Sequence, residues 1–313
     1  MKTWQQTLAR ALERQWRRYR QALKRCQRDF SESSIHDSRI EARRLAAQLE
    51  FLAGFAPRAA LEKAQRALKR HLDTFDPLRD AQVQLCILKK QCGHIDGAKA
   101  VRKLTACREK RCRRKAECGV RKVKTKRVEA FIDPLVKLLK APAALPAGRL
   151  TNVVRRVDKA FAQTVRCRHR INPADAATIH RTRVAFKKFR YMMESMHLLF
   201  PEVTARQLAV MQRFQGVLGD LQDTDVFLGR VDKLIEKRQL KAEETAPFRR
   251  WLVLRRKRQI NRCLQRADML FEFWPLNSAK PHSLVGAKRR LAAVNSDSSA
   301  VLSGTTESEV AKP

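Results

Sequence analysis

The chain is poor in the residues that break and decorate most folds. Its 313 residues include 10 glycines and 11 prolines, and aromatic side chains make up 6%. With so few breakers, and with Ala, Leu, Arg, Lys, Gln and Glu dominating, the composition is that of an all-α protein. No apolar run approaches the length that crosses a bilayer, and the opening Met1-Lys2-Thr3-Trp4-Gln5-Gln6 has no signal-like apolar core, so a soluble, cytoplasmic protein is expected. Cys-x-x-Cys is absent, and Cys107, Cys112 and Cys118 stand among arginines without metal-ligand spacing. Reduced thiols are expected, with no metal and no cofactor. There is no Gly-rich phosphate loop and no Gly-x-Ser-x-Gly elbow.

Acidic residues are the last scarcity. Asp and Glu number 31 against 68 Lys and Arg, a formal net charge of +37. Self-repulsion on that scale opposes folding unless a polyanion occupies the surface, so nucleic acid, an anionic membrane or a phosphate polymer are the partners to consider.

What the chain does contain is a phrase used twice. His36-Asp37-Ser38-Arg39-Ile40-Glu41-Ala42-Arg43-Arg44-Leu45 returns as His180-Arg181-Thr182-Arg183-Val184-Ala185-Phe186-Lys187-Lys188-Phe189. A second echo sets Leu78-Arg79-Asp80-Ala81-Gln82-Val83 against Leu221-Gln222-Asp223-Thr224-Asp225-Val226, about 44 residues after the first anchor in each case. Two anchors in the same order point to a duplicated helical unit.

The apolar spacing predicts helices over 3–30, from a cap at Ser33 or Ser34 to about Phe55, from Pro57 to about Thr74, and from Asp76, the cap before Pro77 at the first helical position, to Gly93. Residues 98–140 are helical in pattern and densely basic through Arg127, either a solvated face or a polyanion-gripping arm. Helices follow near 149–171, 175–200, 202–216, 219–239 and 244–272, with breaks at Pro201 and at Gly216 to Gly219. The expected organisation is a first helical repeat over 1–141, a linker over 142–148, a second repeat over 149–275 and a disordered tail over 276–313.

At about 100° per residue, Arg183, Lys187 and Arg190 fall within roughly 80° of His180, while Phe186, Phe189, Met193 and Met196 lie opposite. In the first copy His36, Arg39 and Arg43 share a face opposite Ala42, Leu45, Leu49 and Leu52, and Arg44 and Lys188 flank the two stripes. Each helix therefore docks by an apolar stripe and presents a basic one headed by a histidine. That suits phosphate: guanidinium gives planar paired donors, lysine adds a point charge, and a helix N-terminus is itself positive. His71, His169, His197 and His282 share no phase and read as incidental to this stripe. Asp80 and Asp223 are expected to pair with a motif arginine and hold it in a binding rotamer.

These motifs, with Leu218-Gly219-Asp220 and Lys187-x-x-Arg190-Tyr191-x-x-Glu194, resemble the CHAD family, the conserved histidine α-helical domain, over about residues 3–275. The resemblance implies two four-helix-bundle-like halves with pseudo-two-fold symmetry around a basic groove that binds inorganic polyphosphate. It also implies association with intracellular polyphosphate granules or, in some members, polyester storage granules. Carried over by motif position, the binding residues are His36, Arg39, Arg43, Arg44, Arg79, His180, Arg183, Lys187, Lys188 and Arg190. The chain departs from the pattern at Gln82, where an acid is usual, and at Gln222, where a basic residue is. No Glu-x-Glu-x-Lys segment of a fused triphosphate-hydrolysing domain occurs. The expectation is a non-catalytic polyphosphate binder. A nucleic-acid binder accounts equally for the charge but finds no aromatic stacking platform. A phosphate-transferring enzyme would need a carboxylate cluster that the sequence does not supply.

Overall fold

The structure, a computed structural model, describes residues 4–55, 57–91, 94–141, 148–196 and 203–274. Among them are nine α-helices and two short 3-10 turns, and no strand beyond an isolated bridge between Asn172 and Asp175. Among the described residues no helix is long and apolar enough to cross a membrane. The helices are α1 (Trp4–Asp29), α2 (Glu32–Phe51), α3 (Arg58–Gln91), α4 (Ala98–Arg121), α5 (Lys126–Lys140), α6 (Gly148–His169), α7 (Ala176–Met196), α8 (Ala205–Glu236) and α9 (Ala242–Arg266).

The N-terminal stripe is as spaced in the sequence: Leu8, Leu12, Trp16, Tyr19, Leu23 and Cys26 are buried along α1. Phe30 then enters the left-handed region at φ 42, a conformation that costs about 1–2 kcal/mol for a residue with a side chain. Its ring is buried against Phe75, which offsets that strain. The chain re-enters helix at Ser31, whose extended backbone and hydroxyl cap the Ser34 N–H at 3.2 Å. The cap is thus Ser31, not Ser33 or Ser34, because Ser34 already lies in the first turn and donates its hydroxyl back to the Ser31 carbonyl.

Two expected breaks are not breaks. The third and fourth helices form one 34-residue α3 with Pro77 inside it. Leu61, Ala64, Leu68, His71, Phe75 and Leu78 run on one buried stripe across the proline without a change of phase, and that packing outweighs the single ladder bond lost. Likewise Gly216 and Gly219 lie within the continuous α8, opened by a capping box between Thr204 and Gln207. Gly93, Pro201, residues 142–147 of the expected linker and the tail 276–313 fall outside the described residues, and Gly148 is already the first residue of α6.

Helix partners follow a recurring plan. α2 packs on α1 and α3, α7 on α6 and α8, α4 on α3, and α9 on α8, while α2 lies against α7 and α3 against α8. A main apolar core draws on all nine helices, with Ala116 and Val120 from α4 and Ile260 and Cys263 from α9. A second, distal core is built from Ile87 and Leu88 of α3, Ala98 and Val101 of α4, Phe227, Val231 and Leu234 of α8, and Phe248 and Leu252 of α9. Gly97, at φ 81, locks that distal end, since a Cβ there would stand 2.5 Å from the Glu244 carbonyl oxygen.

Between the two cores the same four helices change character. Leu78 and Leu221 are the last main-core residues on α3 and α8, and the distal core resumes at Ile87 and Phe227. The intervening positions carry Asp80, Gln84, Asp223 and Thr224, joined by Thr105 and Arg108 of α4 and Arg255 and Gln259 of α9. Gln84, Thr105 and Thr224 are buried. This polar belt adjoins the site described next.

Candidate anion-binding site

The two His-x-x-Arg helices face each other, and five of the ten candidate cations share one electrostatic neighbourhood. Arg39 and Arg43 come from α2, Arg79 from α3, and Arg183 and Lys187 from α7. Asp76 of α3, seen in the sequence only as a cap before Pro77, is the direct counter-ion: it lies 3.0 Å from Arg39 and 4.0 Å from Arg43. Arg39 is buried, and burial first, then the neighbouring Arg43 charge, holds its pKa below the ordinary value although Asp76 works the other way. Arg183 is lowered likewise, by burial, with Asp223 opposing.

Lys187 is the most perturbed of the set. Burial, then the charges of Arg43 and Arg183, bring its ammonium down to about 7, with Asp76 opposing. Two guanidinium nitrogens here, Arg39 Nη1 and Arg183 Nε, are buried without a hydrogen-bond partner among the described residues. Each such donor costs about 1–3 kcal/mol.

Asp80 and Asp223 do not form the expected ion pairs. Neither makes a direct salt bridge among the described residues; burial raises both pKa values, against the pull of Arg108 on Asp80 and of Arg183 on Asp223. They act on the arginines through space rather than as clamps, because the acids lie on α3 and α8 at the edge of the polar belt.

The other candidates are placed differently. His36 is exposed on α2, and His180, exposed on α7, donates from Nδ1 to Gln222 Oε1 of α8. Gln222 stands opposite Arg79 in the sequence echo, and here it gives this histidine a fixed partner. Arg44, Lys188 and Arg190 lie with carboxylates instead. Glu194 bridges Arg44 and Arg190, Glu41 also holds Arg44 at 2.9 Å, and Lys188 pairs with Glu50. Arg190 further donates to Gln215 at 2.8 Å and covers the Tyr191 ring at 4.3 Å. For Arg44, burial is outweighed by Glu194 and Glu41, and the pKa is raised.

The basic field continues where the sequence named no site residue. Arg108 of α4 reaches Gln84 at 3.4 Å and influences Asp80. Arg230 of α8 is lowered by burial, then by Arg108 and Arg111. Arg255 of α9 donates to Thr224 at 3.2 Å. The 98–121 arm is therefore mixed: Arg108 and Arg111 face this field, while Arg113 and Arg121 pair with Glu109 and Glu117 of their own helix. Helical phase could have marked these arginines as one face but not what that face meets. His71, read as incidental, is a core residue hydrogen-bonded to Tyr19 and Ser38. Among the described residues no group of three His, Cys, Asp or Glu is arranged to hold a metal ion.

The comparisons agree with this fold. Similar solved structures include the CHAD domain from the plant Ricinus communis, with TM-score 0.57 and 20% identity over 85% of this chain and 91% of that one. They also include PptA from Streptomyces chartreusis, with TM-score 0.63 and 17% identity over 85% of this chain and 99% of that one. At these identities the likeness is one of fold. No curated protein matches the chain significantly in sequence. The family model for the CHAD domain matches residues 10–232, which takes in both His-x-x-Arg helices, Asp76 and Asp223, and the chain belongs to the CHAD domain family.

Proposed function

We propose that the chain binds inorganic polyphosphate, without catalysing its turnover, in the basic groove between α2 and α7. The observation that carries this is the pair of buried guanidinium N–H groups, Arg39 Nη1 and Arg183 Nε, left without acceptors where two basic stripes converge. Phosphate oxygens supply acceptors and charge together, and a linear polymer of them can satisfy cations contributed by several helices at once. Arg39, Arg43, Arg79, Arg183 and Lys187 would contact the chain directly. His36 and His180 would meet it at the N-terminal ends of their helices, and Arg44, Lys188 and Arg190 would shape the walls through Glu41, Glu50 and Glu194. On this reading α2 and α7 are copies of one duplicated unit, and attachment to cytoplasmic polyphosphate or polyester granules follows from the binding.

Nucleic acid is the competing polymer, and one titration separates the two. The protein is mixed with long-chain polyphosphate and duplex DNA in a single competition format at physiological salt. The expected result is that polyphosphate displaces DNA, and that Arg183→Ala with Lys187→Ala removes this advantage and flattens the salt slope by about 1–1.5. DNA winning or tying, or an unchanged slope in the variant, would overturn the assignment.

A further inference from the structure

A second basic recess lies where α1, α2, α7 and α8 meet. It is a cavity of about 350 Å³ whose wall includes Arg14 and Arg18 of α1, Arg44 and Gln48 of α2, Glu194 of α7 and Leu208 of α8. That volume is within the range of small-ligand sites, about 300–1,000 Å³. Arg43 faces the groove while its neighbour Arg44 faces this recess, because successive residues on a helix point about 100° apart.

Two independent observations mark the recess as built for a ligand. Gln48 is 3% exposed and lines the cavity, yet its side-chain amide has no hydrogen-bond partner among the described residues. That amide opens onto the recess and offers a donor and an acceptor to a polar occupant. Arg14 and Arg18, one turn apart on α1, are not ion-paired among the described residues, and like charges at that spacing repel. The carboxylate of Glu194 is already shared by Arg44 and Arg190, so it orients Arg44 and leaves the other two charges uncompensated. The recess also receives Ala205, the first residue of the 32-residue α8, and with it the positive end of that helix.

We propose that this recess binds a small phosphate-bearing anion, at a site distinct from the polymer groove. Arg14, Arg18 and Arg44 take the phosphate oxygens, and the Gln48 amide hydrogen-bonds the ligand at the floor. Leu208 and Ala209 give the wall an apolar side that would fit a short carbon skeleton. The described lining is otherwise made of Gln, Glu, Ser and aliphatic side chains. The source is therefore orthophosphate or a small aliphatic phosphate ester.

The test is calorimetric titration of the full chain with orthophosphate and, separately, with glycerol phosphate. Three variants accompany the wild type: Arg14→Ala with Arg18→Ala, Gln48→Leu, and the groove variant Arg183→Ala with Lys187→Ala. Arg14 and Arg18 are exposed, so the first variant leaves the core intact. Saturable binding that weakens about tenfold or more in the first two variants, and is unchanged in the third, is expected. Tighter binding of the ester assigns the carbon skeleton to the Leu208 side, whereas equal or tighter orthophosphate assigns the site to the inorganic ion. Absence of saturable binding, binding indifferent to Arg14 and Arg18, or loss confined to the groove variant would overturn the proposal. Because polyphosphate binding is read on the groove variant, failure here is distinguishable from failure of the groove assignment.

Discussion

Arg39 of α2 and Asp76 of α3 form a 3.0 Å ion pair in which the guanidinium side is 7% exposed and the carboxylate side 52%. The arginine is thus inside and its counter-ion half outside. Removing the acid strands a buried charge, whereas removing both groups would not. Asp76→Ala is expected to destabilise the protein by about 1–3 kcal/mol, below the full value for a buried pair because Asp76 is solvated. Urea unfolding with and without long-chain polyphosphate checks it, and the polymer should narrow the gap between variant and wild type by supplying the missing negative charge.

Lys187 makes anion binding pH-dependent. With its pKa brought to about 7, the empty site is half protonated near neutrality, and a polyanion raises the pKa and draws the proton on. Affinity should fall as pH rises above about 7, with proton uptake on binding measurable by calorimetry in buffers of different ionisation enthalpy. Lys187→Arg keeps the charge at every pH, so it should reduce both the proton uptake and the pH slope in this range.

His71 sets a stability limit in acid. Burial lowers its pKa to about 4 from an ordinary 6.5, with Arg39 adding to the effect. Between those values the unfolded chain binds more protons than the folded one. The contribution is therefore full above about 6.5 and lost as pH falls through about 4, with a ceiling on the order of 3 kcal/mol. Tyr19→Phe, which deletes the 2.9 Å bond to Nδ1, should destabilise by about 1–2 kcal/mol at neutral pH. Chemical denaturation across pH 4–7 would show both effects.

Gly97→Ala combines a left-handed backbone with a Cβ 2.5 Å from the Glu244 carbonyl oxygen. Amide exchange should accelerate around Val101, Phe227 and Phe248 with little change around Leu12 and Leu45. Uniform acceleration would mean that the two cores open together.

The apolar stripes, the helical class and the basic faces of α2 and α7 were legible in the sequence because each depends on periodicity within one helix. Pro77 and Gly216 were misread because local propensity is weak evidence where packing continues on both sides. Asp76 was seen as a cap and proved to be the partner of Arg39, which only the docking of α3 on α2 reveals. Arg44 and Arg190 carry the same signal as Arg43 and Arg183, yet Glu194 claims them: its pairing with Arg190 is an i,i+4 spacing within α7, but no spacing within α2 predicts that carboxylate for Arg44. Arg108 and Arg255 were lost in a background of basic residues, since helix phase says which residues share a face and not what that face meets.

The polar belt between the apolar cores has a mechanical consequence. α3, α4, α8 and α9 run from one core into the other, so they behave as four struts gripped at both ends and loosely bridged in the middle. A multivalent anion bound beside that span would tie the struts together by charge where hydrophobic contact is interrupted. The occupied protein should be stiffer along its long helices than the empty one, even with every helix still in place.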